Sequence, residues 1–262
     1  MKNNEKIISE IKTFFDVAAT KRDREFKENP ILGYEQDIRQ RVLFDMIFVK
    51  SEDLILEVGC GNGRDTPFYI SVKGVNYIGI DISEKMLAIA KKRINTLDKK
   101  DGVHFLIADA TKMPFPDNLF DKILCSEVLE HIPRWDQAIG EFARTIKNNG
   151  ILVITTPNQY SMYGITRKIY ETMKGVSHPF DSWKNYIILK KNLLKNLFAI
   201  EEVRGVCFLP GLLSYMARIK KLIIPFLPIM KKIEEGILAK NLITRYFGYM
   251  IAIKCKQVSS DF

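Results

Sequence analysis

The sequence contains few of the residues that hold metals or form disulfide frameworks. Its 262 residues include four cysteines and three histidines, and the cysteines are scattered along the chain. No two cysteines have Cys-x-x-Cys spacing and no cluster of histidine and cysteine accompanies them, so neither a zinc site nor a disulfide framework is predicted. We therefore expect reduced thiols and a cytoplasmic protein.

Long apolar runs are also absent. No stretch reaches the roughly 18–20 apolar residues that cross a bilayer. Residues 1–23 lack the apolar centre of a signal peptide and have the pattern of an amphipathic helix instead. With 47% hydrophobic and 27% charged residues, the composition is that of a globular protein with a substantial core.

The positive charge of the chain is unevenly distributed. Of the formal net charge of +9, most belongs to residues 210–262, which hold nine Lys or Arg against three Asp or Glu. Such a concentration favours either a surface that meets an anionic partner or a merely solvated basic face.

Short apolar runs alternate with helical patterns from residue 53 onward, which predicts a parallel sheet with helices on both faces. Ligands of such sheets bind beyond the carboxyl ends of the strands. The helical pattern over 83–97 begins at a Ser N-cap candidate, and a second helix is predicted over 134–147. The predicted strands are 53–58, 76–81, 103–109, 120–126, 150–157, 198–208 and 247–256.

The segment DLILEVGCGNGRDT at 53–66 places three glycines at alternate positions after a strand. A glycine-rich turn next to a helix N-terminus lets a ligand approach the backbone closely. The dinucleotide pattern GxGxxG is matched imperfectly, because Arg64 stands where its third glycine is expected.

Polar residues at the ends of the next strands complete this pattern. Asp81 ends the second predicted strand and can accept both hydroxyls of a ribose. Asp109 ends the third, where a side chain can reach an adenine amino group, and LCSEVLEHI at 124–132 follows the fourth. Together these positions indicate an adenosine-containing ligand.

Four ordered segments carry a resemblance to a known family: LEVGCGNGRDT, IGIDIS, ADATKMPFPDNLFDKILCSEVLEHI and GILVITTPN. They resemble the motifs of class I S-adenosylmethionine-dependent methyltransferases of the type 11 kind, over roughly residues 50–158. The resemblance implies an α/β, Rossmann-like, seven-stranded and mostly parallel sheet that ends in an antiparallel hairpin. It also implies S-adenosyl-L-methionine as the cofactor.

The resemblance assigns roles to individual positions. Asp81 would hold the ribose of the cofactor. The methionine part would be bordered by Glu57, Gly59, Gly61 and Gly63. The adenine would lie beside Ile82, Met86, Asp109 and Ala110, and the floor under the sulfonium would be formed by Ser126, Glu127 and Val128.

Several side chains allow a functional or a structural interpretation. His131 on the lip of the predicted pocket and His178 in a later loop are the candidate general bases, since imidazole titrates near neutral pH; each could equally be a packing residue. His104 lies within a strand and is predicted to be structural. Asp65 could be a solvated helix start or a ligand contact, and Arg39 is predicted to be a surface or packing residue.

The acceptor is predicted from two weaker signals. The stretch KGVSHPFDSW at 174–183 loosely resembles the region after the fifth strand of quinone-biosynthesis O-methyltransferases, which implies a small or lipophilic acceptor methylated on a hydroxyl. The Leu-, Ile- and Lys-rich residues 211–240 could contact a membrane surface or an anionic lipid, or could be a plain helical cap.

Three parts of the chain are predicted. They are an N-terminal helical cap (1–50), a methyltransferase core (51–208 and 246–262) and a basic helical insertion (209–245).

Three alternative functions remain open at this point. They are an NAD(P)-binding oxidoreductase, a methyltransferase of a soluble metabolite and a non-catalytic binding module. Nucleic acid is not expected as a partner, because the basic segment lacks interleaved aromatic residues, and no oligomeric state is predicted.

Overall fold

A computed structural model shows how these segments fold. It describes residues 2–97, 101–161, 164–165, 180–208, 224–234, 236, 241 and 246–258. Within these ranges, no helix combines the length and the apolar character that crossing a bilayer requires.

One seven-stranded sheet organises the described residues, in the order β3-β2-β1-β4-β5-β7-β6. β7 runs antiparallel to both of its neighbours, whereas the other pairs are parallel. The predicted fold class is therefore confirmed, including the antiparallel pair at the end. The strands are β1 (Leu54–Val58), β2 (Asn76–Asp81), β3 (Val103–Ile107), β4 (Phe120–Ser126), β5 (Ile146–Pro157), β6 (Phe198–Val206) and β7 (Met250–Gln257).

Helices precede and connect these strands. Side-chain caps begin three of them: Asn29, Ser83 and Asn185 each accept a backbone N–H of the first turn. The helices are α1 (Lys2–Glu28), α2 (Pro30–Ile47), α3 (Thr66–Ile70), α4 (Glu84–Asn95), α5 (Trp135–Thr145), α6 (Tyr186–Lys195) and α7 (Leu227–Ile233), with short 3₁₀ turns at Leu129–His131 and Ile224–Phe226.

The core lies on both faces of the sheet, because successive strand residues point to opposite sides. In β4, Ile123 packs with the helices α5 and α6, and Leu124 packs with α2 and α3. In β5, Leu152 belongs to the same side of the core as Ile123, and Val153 belongs to the same side as Leu124. Burial on both faces explains why these strands read as continuous apolar runs rather than as alternating ones.

The segment predicted as an insertion is described only in part. Residues 209–223 and most of 235–245, including Lys220 and Lys221, lie outside the described residues. In α7, the Lys231 ammonium forms an ion pair with Asp37 of α2. Lys231 is therefore held against the N-terminal helices. The division of the chain into three parts stays a prediction.

Ser83 links two helices as well as capping one. Its hydroxyl oxygen accepts the Met86 N–H at 3.1 Å, and its O–H donates to the Asp16 carboxylate of α1. α1 is thereby attached at the N-terminus of α4, next to Asp81.

We expect Ser83→Ala to lower the free energy of unfolding by about 1–2 kcal/mol, because it removes a cap and the contact to Asp16. Asn185→Ala, which removes only the cap of α6, serves as the matched control and should cost about 1 kcal/mol. Urea unfolding measures both; a Ser83→Ala cost no larger than the control would mean that the Asp16 contact contributes nothing.

Candidate functional site

A cavity opens at the carboxyl ends of β1, β2 and β4, where the sheet and α1, α2 and α4 meet. Almost all of the residues predicted for the site line it. They are Glu57, Gly59, Gly61, Asp81, Ile82, Met86, Asp109, Ala110, Ser126, Glu127, Val128 and His131.

Two predicted residues are not among those lining the cavity. A Cβ atom on Gly63 would lie 2.8 Å from the Ala90 Cβ, so this glycine allows α4 to pack closely against the glycine turn. Gly63 thus has a packing role rather than a position in the cavity wall. His178 lies outside the described residues.

The glycine turn holds its backbone in a conformation that other residues rarely adopt. Gly59 and Gly61 have φ angles of +68° and +53°. A Cβ on Gly59 would come within 2.2 Å of the Val128 Cγ2, whereas a Cβ on Gly61 would meet nothing within 4 Å. The turn therefore packs tightly against the β4 loop and presents open backbone to the cavity.

Asp81 is held rigidly at the end of β2. Its carboxylate accepts the Gly61 N–H at 2.9 Å and the Ser83 N–H at 2.8 Å. Burial raises the pKa of this carboxyl above its ordinary value, and the two N–H donors oppose that effect. An ionised carboxylate accepts about four hydrogen bonds, so capacity remains for a ligand with hydroxyl groups.

Glu57 is buried beneath the turn. The Tyr77 hydroxyl donates to its carboxylate, and the Thr66 hydroxyl donates to the Tyr77 oxygen at 3.0 Å. Burial, followed by the nearby Asp65 carboxylate, raises the pKa of Glu57 to about 8. Near neutral pH its charge is therefore sensitive to any cation that enters the cavity.

α2 supplies a polar network that the sequence analysis underestimated. The Arg39 guanidinium donates to Asp65 at 3.0 Å and forms an ion pair with Glu127. Gln36 and Gln40 each donate to the other oxygen of Asp65 at 2.6 Å. Asp65 is thus a buried network residue and not a solvated helix start, and Arg39 is not a surface residue.

The spacing of 36, 39 and 40 contained a signal for this network, since residues three and four apart share one helix face. What the sequence could not show is that this face meets the turn after β1. The Arg39 Nε is also buried without a hydrogen-bond partner among the described residues. This unsatisfied donor beside the cavity suits an anionic group.

Part of the cavity wall is apolar where α1 covers it. Ile8, Ile11 and Phe15 of α1 contribute to this wall, together with Met86. Asp109, which also lines the cavity, accepts both the N–H and the hydroxyl of Thr111 at 2.8 Å. Apolar side chains beside fixed polar groups are typical of a site for a heterocycle.

His131 lines the cavity from the end of the 3₁₀ turn after β4. Its Nδ1 is 3.4 Å from the backbone oxygen of Phe180, and the ring of Phe15 packs edge-on against it at 5.3 Å. A proton on Nδ1 satisfies that carbonyl, which makes Nε2 the accepting nitrogen of the neutral ring.

Comparison with known proteins agrees with this geometry. Residues 56–154 match the family model described as a methyltransferase domain. The 27-O-demethylrifamycin SV methyltransferase of Amycolatopsis mediterranei is 31% identical over 183 residues, which cover 64% of this chain and 67% of that enzyme. This chain belongs to the class I S-adenosylmethionine-dependent methyltransferases. The predicted family, enzyme class and cofactor are confirmed, and the oxidoreductase alternative is set aside.

Other matches extend the family comparison. A demethylmenaquinone methyltransferase of Paenarthrobacter aurescens is 33% identical over 57% of this chain and 56% of that enzyme. A chain from the complex between the Haloferax volcanii Trm112 methyltransferase activator and a methyltransferase shares the fold, with a TM-score of 0.68, 16% identity and coverage of 96% and 99%. Among four curated relatives, the aligned part spans from 35% to 73% of the relative's own length, and in two of them it covers less than two thirds.

Gly59→Ala is expected to destabilise the methyltransferase by about 2–4 kcal/mol, because the positive φ is strained and the new methyl overlaps Val128. Gly61→Ala, with a similar φ but open space around it, should cost about 1 kcal/mol. Urea unfolding compares the two variants. Equal costs would contradict the close packing of the turn on the β4 loop.

Glu57→Gln tests the effect of burying a carboxyl. The folded carboxyl keeps its proton to about pH 8 and the unfolded one to about 4.5, so the free energy of unfolding falls as pH rises between these values. Between these pH values, the free energy of unfolding of the Glu57→Gln variant should fall by roughly 2–5 kcal/mol less than that of the unaltered chain.

Unfolding at several pH values between about 5 and 8 measures this decline. Glu5→Gln, an exposed change on α1, is the control and should leave it unaltered. A decline in Glu57→Gln as steep as in the unaltered chain would contradict the role of burial.

Proposed function

We propose that this methyltransferase methylates a hydroxyl group of a lipophilic small molecule, with His131 as the general base. The observation that carries the proposal is the position of His131. It lines the same cavity as Ser126, Glu127 and Val128. These three residues are predicted to lie under the sulfonium, so a base at this place would be close to the reacting methyl group.

The residues of the cavity fit the cofactor of the family. S-Adenosylmethionine, when bound, supplies a methyl group on a sulfonium centre. Asp81, fixed by its two N–H donors, would accept the ribose hydroxyls. The adenine would lie between the α1 wall and a group of nearby side chains, namely Ile82, Met86, Asp109 and Ala110.

The amino-acid end of the cofactor would meet the charged network of α2. Glu57 and Asp65 are suited to an ammonium group, and the buried Nε of Arg39 is suited to a carboxylate. Arg39 thereby joins the proposed binding residues, while Gly63 would act only through the packing of the turn. His178 remains a proposed second base.

The acceptor class is proposed from the cavity wall and from the relatives. The apolar side chains of Ile8, Ile11, Phe15 and Ile132 line the cavity, and the Phe15 ring contacts His131. Two relatives are named for a rifamycin and for menaquinone, and apolar side chains beside the proposed base favour acceptors of low polarity. Removal of the hydroxyl proton by the accepting Nε2 of His131 would assist attack on the methyl group.

The segment 211–240 remains proposed as a contact to lipid. Its support is the charge of the sequence, together with the exposed Ile229 and Phe226 beside Lys232. The alternative of a soluble acceptor, with this segment as a plain cap, is an outcome of the experiment that follows.

The function can be tested with methyl-labelled S-adenosylmethionine and an extract of the source cells. We expect label in the organic phase. His131→Gln should lower the rate roughly 100-fold or more while leaving cofactor affinity within a few fold. His104→Gln, on an exposed strand position, is the matched control and should retain the full rate.

Asp81→Asn should instead weaken cofactor binding roughly tenfold, since it removes a charged acceptor. Calorimetry measures this binding directly. Label confined to water-soluble products would overturn the lipophilic acceptor, and a His131→Gln rate equal to the control would overturn the general base.

A further inference from the structure

α6 buries one side and exposes large aliphatic residues on the other. Leu189 and Leu193 pack into the core on one face of the sheet. On the outer side, Ile187, Ile188 and Leu194 are 71%, 49% and 51% exposed. With 3.6 residues per turn, these three side chains lie within one half of the helix surface.

The same outer surface is strongly basic. Lys190, Lys191 and Lys195 are exposed on α6. Within the described residues none of the three forms an ion pair. The sequence contains no Asp or Glu between residues 182 and 200, so no carboxylate of this segment balances the charge. We call this surface, formed by the three aliphatic and the three basic residues, the α6 face.

We propose that the α6 face docks onto the surface of an anionic lipid bilayer. Aliphatic side chains gain free energy by leaving water, and lysines on the same surface attract anionic headgroups. A nucleic acid would satisfy the lysines but leave Ile187 and Leu194 without an apolar partner. The mixture of the two residue types is what selects a lipid surface.

The position of α6 in the chain links the proposed docking surface to the cavity. The residues just before the helix contact the turn that carries His131: the Ser182 N–H donates to the Glu130 backbone oxygen at 2.9 Å, and the Phe180 backbone oxygen lies 3.4 Å from the His131 Nδ1. A docked α6 would therefore be joined by a few residues of chain to a segment that contacts a residue of the cavity wall. The docking itself requires neither the proposed acceptor nor methyl transfer.

Sedimentation of the full chain with vesicles tests the proposal. We expect binding to vesicles that contain phosphatidylglycerol, little binding to pure phosphatidylcholine, and weakening by salt. Lys190→Glu/Lys191→Glu should reduce binding roughly tenfold or more. Lys91→Glu/Lys92→Glu, an exposed lysine pair on α4 with the same change of charge, is the matched control and should bind like the unaltered chain.

Ile187→Ser tests the apolar part and should reduce binding severalfold. Val17→Ser, at a residue that is 73% exposed on α1, is its control. Equal losses in the α4 and α6 lysine variants would overturn the proposal, as would unchanged binding of Ile187→Ser. A doubling of the mass without vesicles that Ile187→Ser abolishes would also overturn it, because the face would then join two copies of the chain.

Discussion

The partly buried ion pairs of Arg39 bring together the three chain segments that surround the methionine end of the predicted cofactor site. Through Asp65 the guanidinium reaches the helix that follows the glycine turn, and through Glu127 it reaches the loop after β4. Both carboxylates are partly or fully removed from water, where a charge without a partner is costly. Without the arginine, α2 would lose its ion pairs with both acidic groups.

This arrangement places several acids close together, and their burial opposes the stability of the fold. Glu57 lies beneath the turn with a raised pKa, and Asp81 is buried beside it. Sites that bind charged ligands contain such buried acids despite their cost in stability, because a bound cation offsets the repulsion between the carboxylates. S-Adenosylmethionine carries hydroxyl, ammonium and carboxylate groups that would match the contacts proposed for Asp81, Glu57 and Arg39.

α1 and the chain before α6 both contact residues of the cavity wall. α1 contributes apolar side chains to the wall and is attached to α4 through Asp16 and Ser83. His131 lies between the Phe15 ring and the Phe180 carbonyl. The chain that follows Phe180 leads into α6, so the proposed general base and the proposed lipid contact are linked by a few residues of chain.

Much of the architecture was determined by local sequence. Apolar runs of strand length, the Ser83 cap and the positive-φ glycines require only nearby residues, and motif order identified the family without any tertiary information. For this reason the seven strands and the antiparallel pair at the end of the sheet were predicted, and twelve of the predicted site residues line the cavity. The start of β5 was predicted less accurately, because the strand begins at Ile146, within the helix predicted over 134–147.

Other features were decided only by the tertiary structure. Arg39 and Asp65 are 26 residues apart, and no local pattern reveals that their elements meet at one edge of the sheet. Gly63 belongs to the same motif as Gly59, yet it lies against Ala90 and allows α4 to pack closely instead of lining the cavity. Local sequence determines backbone conformation and apolar pattern, but the pairing of buried charges depends on which distant surfaces the sheet brings together.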